Sequence, residues 1–468
     1  MSTETTVVVE NAGPARKRLK ITIPAKVVDA HIEEAYANAR GEVQIPGFRR
    51  GTAPAALIEK RFGAAILEDV RRRVLTEAYQ KAIADNKLQP ISEPEVDEKG
   101  ADLELRRGKP LAVTMDLEVV PEITLPNLED VEVRRPMVEV EDKYVGDEIR
   151  RLGYRFGTPS RIEGPFQELD RMVGKAVVRV KGAAKDPYFE SEECLVVVPD
   201  AEDEGKGQVL GLMFDDLAAK LKGRKVGESI ALRTKGPDAH EREDLRGAEI
   251  TVEFTPAQAE RIAPAAAEGL AEQLGLGSVE NLREQVKLQL EGRRDQEQRT
   301  AMREQAAEWL VDRVRFELPE RMSGAQAARN LEMNRMRLMQ QGLDEPTVER
   351  RLAELRAASE EDTHKRLRAF FILTRLAQEL GVEVSEAELN AAIVQAARSR
   401  GARPDQVRAE LQQSGRLNEM ALAIRESKVL DRVLAKAKVT DIAAEEWNRI
   451  VADKQKALAE RSAPGKKA

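Results

Sequence analysis

QIPGFRRGTAP, residues 44–54, sets an aromatic ring and two guanidinium groups between glycines, with a proline on either side. Gly47 and Gly51 permit a tight turn, so Phe48, Arg49 and Arg50 are expected to project together from an exposed tip. Upstream, VVDAHIEEAYANAR (27–40) places Val28, Ile32 and Ala35 on one apolar stripe of a helix. Downstream, Pro54 suits a first helical turn and Gly63 is expected to close that short helix. Ile66, Val70, Val74, Ala78 and Ile83 then mark a second, longer one. Strands are expected at Thr5–Val9 and Arg18–Ile23, around the turn-like NAGPA, and in LAVTMDLEVVPEI (111–123), where alternate residues are apolar. Residues 1–120 thus read as one α+β domain built around the tip.

The whole chain has 468 residues, enough for about three domains. Lys and Arg total 76 against 83 Asp and Glu, a net charge of −7, so no global field draws it to nucleic acid or acidic membranes. The tip is a local exception: Arg40 to Arg73 holds eight basic and four acidic residues. With 34% charged and only 4% aromatic residues, the composition favours long solvated helices. The single cysteine, Cys194, excludes an internal disulfide and sits in CLVVV, the pattern of a buried strand. MSTETTVVVENAG lacks the basic and apolar regions of a secretion signal, and no segment approaches the roughly 18 apolar residues of a membrane span, so a cytoplasmic protein is expected.

Residues 121–156 begin as a proline-rich, acidic connector (VPEITLPNLEDVEVRRPMVEVED) and continue into a helical run. From 157 to 256 short β-rich runs dominate, with one short helix candidate, FDDLAAKLKG (214–223). Nearly everything from 257 to 450 reads as helix, with a C-cap at Gly381 and a capping box at Ser385–Glu388. Residues 451–468 read as a tail. The fold class is multidomain α+β: an α+β N-terminal domain, a β-rich middle domain and an all-α C-terminal domain.

Planar guanidinium groups suit bidentate contacts with phosphate, and a neighbouring phenyl ring can stack on a base or enter an apolar crevice. The tip therefore suits docking on a ribonucleoprotein. The bland alternative is an ordinary turn with solvated arginines and Phe48 folded into the core. QIPGFRRGTAP followed by LIEKRFG (57–63) resembles the ribosome-docking loop of the bacterial trigger factor family, chaperones that meet nascent chains at the exit tunnel. The resemblance implies that Gly47, Phe48, Arg49, Arg50 and Gly51 form the ribosome-binding tip, with a ribosomal protein and ribosomal RNA of the large subunit as partners. The lysine the family usually carries after the second glycine is Thr52 here, which implies weaker phosphate affinity.

The order of segments agrees with that family along the chain. LKGRKVGESIAL (221–232) and DLRGAEITVEF (244–254) are similar to FKBP-type prolyl isomerases, whose implied pocket falls on Phe189, Met213, Leu217 and His240. Such a pocket twists the imide between aromatic walls without covalent chemistry. Val180, Leu217 and Val252 stand where aromatics are usual, and His240 where a tyrosine normally donates. Those departures predict weak activity and leave open an auxiliary binding or spacing role. Catalytic residues stay unassigned.

In NLEMNRMRLMQQGL (330–343), Met333, Met336 and Met339, with Leu331, form a pliable apolar stripe. Packing against a neighbouring helix is its ordinary use. The family resemblance implies instead a cradle for nascent and unfolded polypeptides. The mixed charges of EGRRDQEQRTAMREQAAEW (291–309) mark a solvated helix face. His31, His240 and His364 lie far apart without metal-ligand spacing, and no GxxxxGK[ST] is present, so no metal, cofactor or ATP is expected. The expected function is an ATP-independent, ribosome-associated chaperone with weak isomerase activity. Its rivals are an isomerase that is an enzyme first, and a ribosome-binding translation or assembly factor. A homodimer off the ribosome stays open.

Overall fold

The structure is a computed structural model. It describes all residues except 1–4, 43–47, 49–53, 97–104, 184, 201–203, 237–244, 246, 341–344 and 463–468. The chain forms two compact units, one of Met1–Met137 with Arg299–Ala468 and the other of Val138–Gln298.

Strands β1 (Thr6–Gly13) and β2 (Arg16–Ile23) make the first hairpin, with only Pro14 and Ala15 between them. Helices α1 (Ala25–Glu42) and α2 (Ala55–Asp85) follow, then β3 (Glu95–Val96) and β4 (Leu111–Glu118), completing an antiparallel sheet of order β1-β2-β4-β3. One face presents Leu19, Ile21, Ile23, Val113, Met115 and Leu117 to Val28 and Ile32 of α1 and Val70, Val74 and Ala78 of α2. Period-2 strands against period-3.6 helices account for this core. On β4, Asp116 takes Arg16 at 2.7 Å and Arg18 at 2.7 and 2.9 Å. The Arg18 hydrogen bond holds that carboxyl below its ordinary range, against the opposing effect of burial.

α2 corrects the expectation of two helices, because it is one helix of 31 residues that passes through Gly63. A Cβ at Gly63 would stand 3.0 Å from the Tyr36 hydroxyl. The glycine serves the close approach of α1 to α2 and does not end the helix.

A single 3-10 turn, Leu128–Asp130, is capped by the side chain of Asn127 and leads into β5 (Glu132–Met137). In the second unit, α3 (Asp142–Arg155) precedes β6 (Thr158–Arg161), β7 (Arg171–Val180), β8 (Phe189–Val197), β9 (Gly207–Val209), β10 (Leu212–Phe214), α4 (Leu217–Leu221), β11 (Ile230–Lys235) and β12 (Glu249–Ala263). The main sheet runs β11-β12-β7-β8 with β6 on the far half of β12, all antiparallel. Val178, Val196, Leu232, Val252 and Phe254 fill its core with Leu217 of α4. Cys194 is buried there as expected, and burial pushes its thiol up.

β12 continues past Pro256, where the sequence reading ends the strand. The ladder shifts register between Pro256 and Gln258, so the missing proline N–H falls at a bulge. Gly174 lies opposite, and a Cβ there would come 2.1 Å from the Thr255 carbonyl oxygen. Helices α5 (Ala267–Gln273) and α6 (Val279–Arg313) follow, and Leu270, Leu282 and Val286 close on Val145 of α3.

The remaining helices are α7 (Glu320–Gln340), α8 (Glu345–Glu379), α9 (Glu386–Arg400), α10 (Pro404–Gln413), α11 (Arg416–Leu434) and α12 (Ala444–Ser462). Ser385 and Glu388 form the expected capping box on α9, and Gly381 has φ +60°. Lys428 donates to Glu388, and with the Ser385 contacts this lowers that carboxyl to about 2.

One strand in this region is a departure from the helical reading: β13 (Lys438–Ala443) pairs in parallel with β5. Val131 and Val133 sink into a core of Ala306, Leu310, Ile372, Leu376, Val429 and Val433, while Arg135 grips Asp441 at 2.7 and 2.9 Å. The connector is therefore anchored by a partner roughly 300 positions away, a distance no local pattern reveals.

Candidate functional site

The tip is carried by the α1–α2 hairpin. At its base Ile58 is fully buried among Tyr36, Ala39, Leu57, Phe62 and Ile66, which clamps the two helices together below the loop. The guanidinium of Arg107 sits 5.3 Å over the Tyr36 ring. Burial raises the Tyr36 hydroxyl, Glu59 adds to the shift, and Arg107 opposes it. This small cluster is invisible as a functional feature in sequence, where its residues read only as helix stripes.

Phe48 is 41% exposed and belongs to none of the buried clusters. That removes the reading in which its ring folds back into the core. Gly47, Arg49, Arg50 and Gly51 lie outside the described residues. The cations of α2 differ in their pairing. Arg71 pairs with Glu68, Arg72 with Asp69, and Arg73 with Glu34 and Glu77. Lys60 and Arg61, in the turns next to the loop, are exposed and pair with no carboxylate among the described residues. Lys81, at the far end of α2, also pairs with no carboxylate among the described residues, so what marks the loop end is the adjacent pair Lys60–Arg61, set beside the single acid Glu59.

On α7 the apolar stripe splits. Met333, Met336 and Met339 are 59%, 57% and 53% exposed. Leu331 is half-buried and lines a cleft of about 660 Å³ with Pro14, Phe316, Leu318, Ala327 and Ala328. At about 100° per residue, Met333, Met336 and Met339 stand roughly 160°, 140° and 80° around the helix from Leu331, whereas Ala327 and Leu338 lie within about 40° of it. Leu338 is buried, and Asn330 donates across to the buried Thr363 of α8 at 3.0 Å. The sequence joined what the helix separates: a cleft wall and a solvent-facing methionine patch.

In the β-rich unit Phe189 and Met213 are about half exposed, whereas Leu217 is buried in the sheet core. His240 lies outside the described residues. A cavity of about 320 Å³ in this unit is lined by Arg150, Arg151, Tyr154, Arg171, Val197 and Ile262, among others, and not by Phe189, Met213 or Leu217. No group of three or more metal-ligating side chains occurs among the described residues, and no helix there is long and apolar enough to cross a membrane.

Two family models match the chain, "Bacterial trigger factor protein (TF)" over residues 5–152 and "Bacterial trigger factor protein (TF) C-terminus" over residues 278–435, together about two thirds of it. The trigger factor of Mycobacterium avium (strain 104) is 29% identical over 451 residues, covering 93% of this chain and 91% of its own. That of Chelativorans sp. (strain BNC1) is 26% identical, covering 91% and 89%. Among solved structures, a trigger factor chain described under "Promiscuous Substrate Recognition in Folding and Assembly Activities of the Trigger Factor Chaperone" aligns with a TM-score of 0.50 at 20% identity. It covers 92% of this chain and 99% of that one, a likeness of fold.

Proposed function

This chain belongs to the bacterial trigger factor family, and from that premise we propose how its residues divide the work. It is a ribosome-associated molecular chaperone that delays misfolding of nascent polypeptides. Phe48, Arg49 and Arg50, with Gly47 and Gly51 shaping the turn, dock it on ribosomal protein and RNA at the exit tunnel of the large subunit, in the cytoplasm. The observation that carries this is the exposed Phe48 at the end of a clamped helical hairpin, with Lys60 and Arg61 nearby forming no ion pair among the described residues. Tethering there raises the effective concentration of chaperone near emerging chain, and weak apolar contacts then hold the client. Release needs no nucleotide, because many small contacts dissociate singly.

The residues 1–120, 121–156, 157–256 and 257–450 serve in turn as docking domain, linker, isomerase-like domain and chaperone domain; the tail read from 451 onward is corrected, because α12 continues to Ser462 and Lys454 on it pairs with Glu308. We assign client contacts to Leu331 in its cleft and to Met333, Met336 and Met339 on the open face. Prolyl isomerisation is a weak accompaniment: Leu217 is committed to the core, and Phe189 and Met213 are open to solvent rather than walls of a dry pocket.

Pelleting of the full chain with ribosomes tests the docking role, and its absence at low salt defeats the proposal. For the client role, Met333→Ser/Met336→Ser/Met339→Ser should retain ribosome binding. It should lose roughly half or more of its suppression of aggregation of an unfolded test protein, since each methionine withdraws about 1 kcal/mol or more of contact. Undiminished suppression removes these side chains from the client surface.

A further inference from the structure

Glu118, the last residue of β4, is only 2% exposed. Its carboxylate oxygens accept the backbone N–H of Arg321 at 2.6 Å and of Met322 at 3.0 Å, residues 203 and 204 positions away in sequence. These are the second and third residues of α7, the positions an N-cap side chain ordinarily serves. The helix cannot serve itself: it starts behind Leu318 and Pro319, and neither side chain accepts a hydrogen bond. A carboxylate there also meets the positive end of the helix dipole. Beside it, Arg321 Nη2 lies 2.7 Å from Glu95 Oε1, next to β4 in the same sheet.

We propose that Glu118, with the Glu95–Arg321 pair, is a latch that fixes α7 to the docking sheet, so that the α1–α2 hairpin and the α7–α8 hairpin move as one body. The Glu118 side chain gives the sheet no hydrogen bond, since both its described partners lie on α7. Burial leaves water no access to replace them, so opening the latch strands two helix N–H groups and a carboxylate together. Pro14, in the turn beside this junction, faces α7 across the 660 Å³ cleft, whose width the latch therefore sets. Its consequence is that the docking tip determines where the client-facing helices point.

The test uses the full chain without ribosomes, so its failure leaves the docking assignment intact. Spin labels at Val8→Cys and Arg329→Cys report the separation of β1 and α7; Cys194 is buried and stays unlabelled. Hydrogen exchange at Arg321 and Met322 reports the cap. Glu118→Ala should raise exchange at those two amides on the order of tenfold or more and broaden the distance distribution, with Glu118→Gln intermediate. Adding Pro319→Asp to Glu118→Ala supplies a local cap: exchange should slow again while the distances stay broad. Unchanged distances in Glu118→Ala, or recovery of both readouts by Pro319→Asp, overturns the latch and leaves a simple cap.

Discussion

Phe48→Ala/Arg49→Ala/Arg50→Ala should lose at least about a hundredfold in ribosome affinity while its thermal unfolding matches wild type. A hydrogen bond to a charged group contributes about 1.5–3 kcal/mol net. Burying the remaining exposed part of a phenylalanine adds roughly another 1 kcal/mol. Even at the low end these reach about 4 kcal/mol, and a tenfold change in affinity costs about 1.4 kcal/mol, so a hundredfold loss allows for non-additivity. Stability should be spared because Phe48 belongs to no core cluster and the hairpin is held below it by Ile58. The two kinds of contact are separable by salt. Each phosphate contact contributes about 0.7–0.9 to the slope of log affinity against log salt. Arg49→Ala/Arg50→Ala should flatten that slope by about 1.4–1.8, whereas Phe48→Ala should lower affinity and leave the slope alone. Equal pelleting of the triple variant and wild type at moderate salt would end the docking assignment.

How much of this was legible in the sequence depended on the range of the interaction concerned. Strands β1, β2 and β4 of the N-terminal sheet, the capping box at Ser385 and the burial of Cys194 follow from periods and pairs a few residues apart and are found where the sequence puts them, whereas the two-residue β3 is too short to leave a pattern. Gly63 was misread because propensity treats glycine as a stop, while the competing cause is Tyr36, supplied by another helix. β13 escaped notice because six residues between helices carry too little alternation, and its partner strand lies in the connector. Among candidate site residues, Phe48 stands exposed as its chemistry suggested, but the methionines and Leu331 fall on different sides of α7. Neither Ile58 nor Glu118 carries a local signal of its role: one is an ordinary stripe residue, the other an ordinary strand-end acid.

Asp170→Ala should open the β-rich unit by about 3 kcal/mol, a larger effect than any surface charge in the chain could produce. Asp170 is completely buried, its carboxylate grips Arg261 at 2.8 and 2.7 Å, and it accepts the Gln167 N–H at 2.7 Å. This pair ties the loop before β7 to the far half of β12, beyond the Pro256 bulge at which the β7 ladder shifts register. Removing the acid leaves a guanidinium and an amide without their acceptor. Because the Arg261 side chain is 35% exposed and can recover some hydration, the lower end of the roughly 3–5 kcal/mol range applies. Arg261→Met should cost more, at about 3–5 kcal/mol, since it strands the carboxylate itself. Asp170→Leu/Arg261→Met should recover much of the loss, as apolar replacements of buried pairs do. Cys194 supplies the readout. It is the chain's only thiol, buried in β8 of this unit, so its labelling rate under native conditions follows the opening equilibrium. About 3 kcal/mol corresponds to labelling on the order of a hundredfold faster. Both tryptophans, Trp309 and Trp447, belong to the other unit, so their fluorescence should not change and locates the effect. If Cys194 in Asp170→Ala labels no faster than in wild type, the pair contributes nothing to this unit and the far half of β12 is held by packing and by its ladders to β6 and β7.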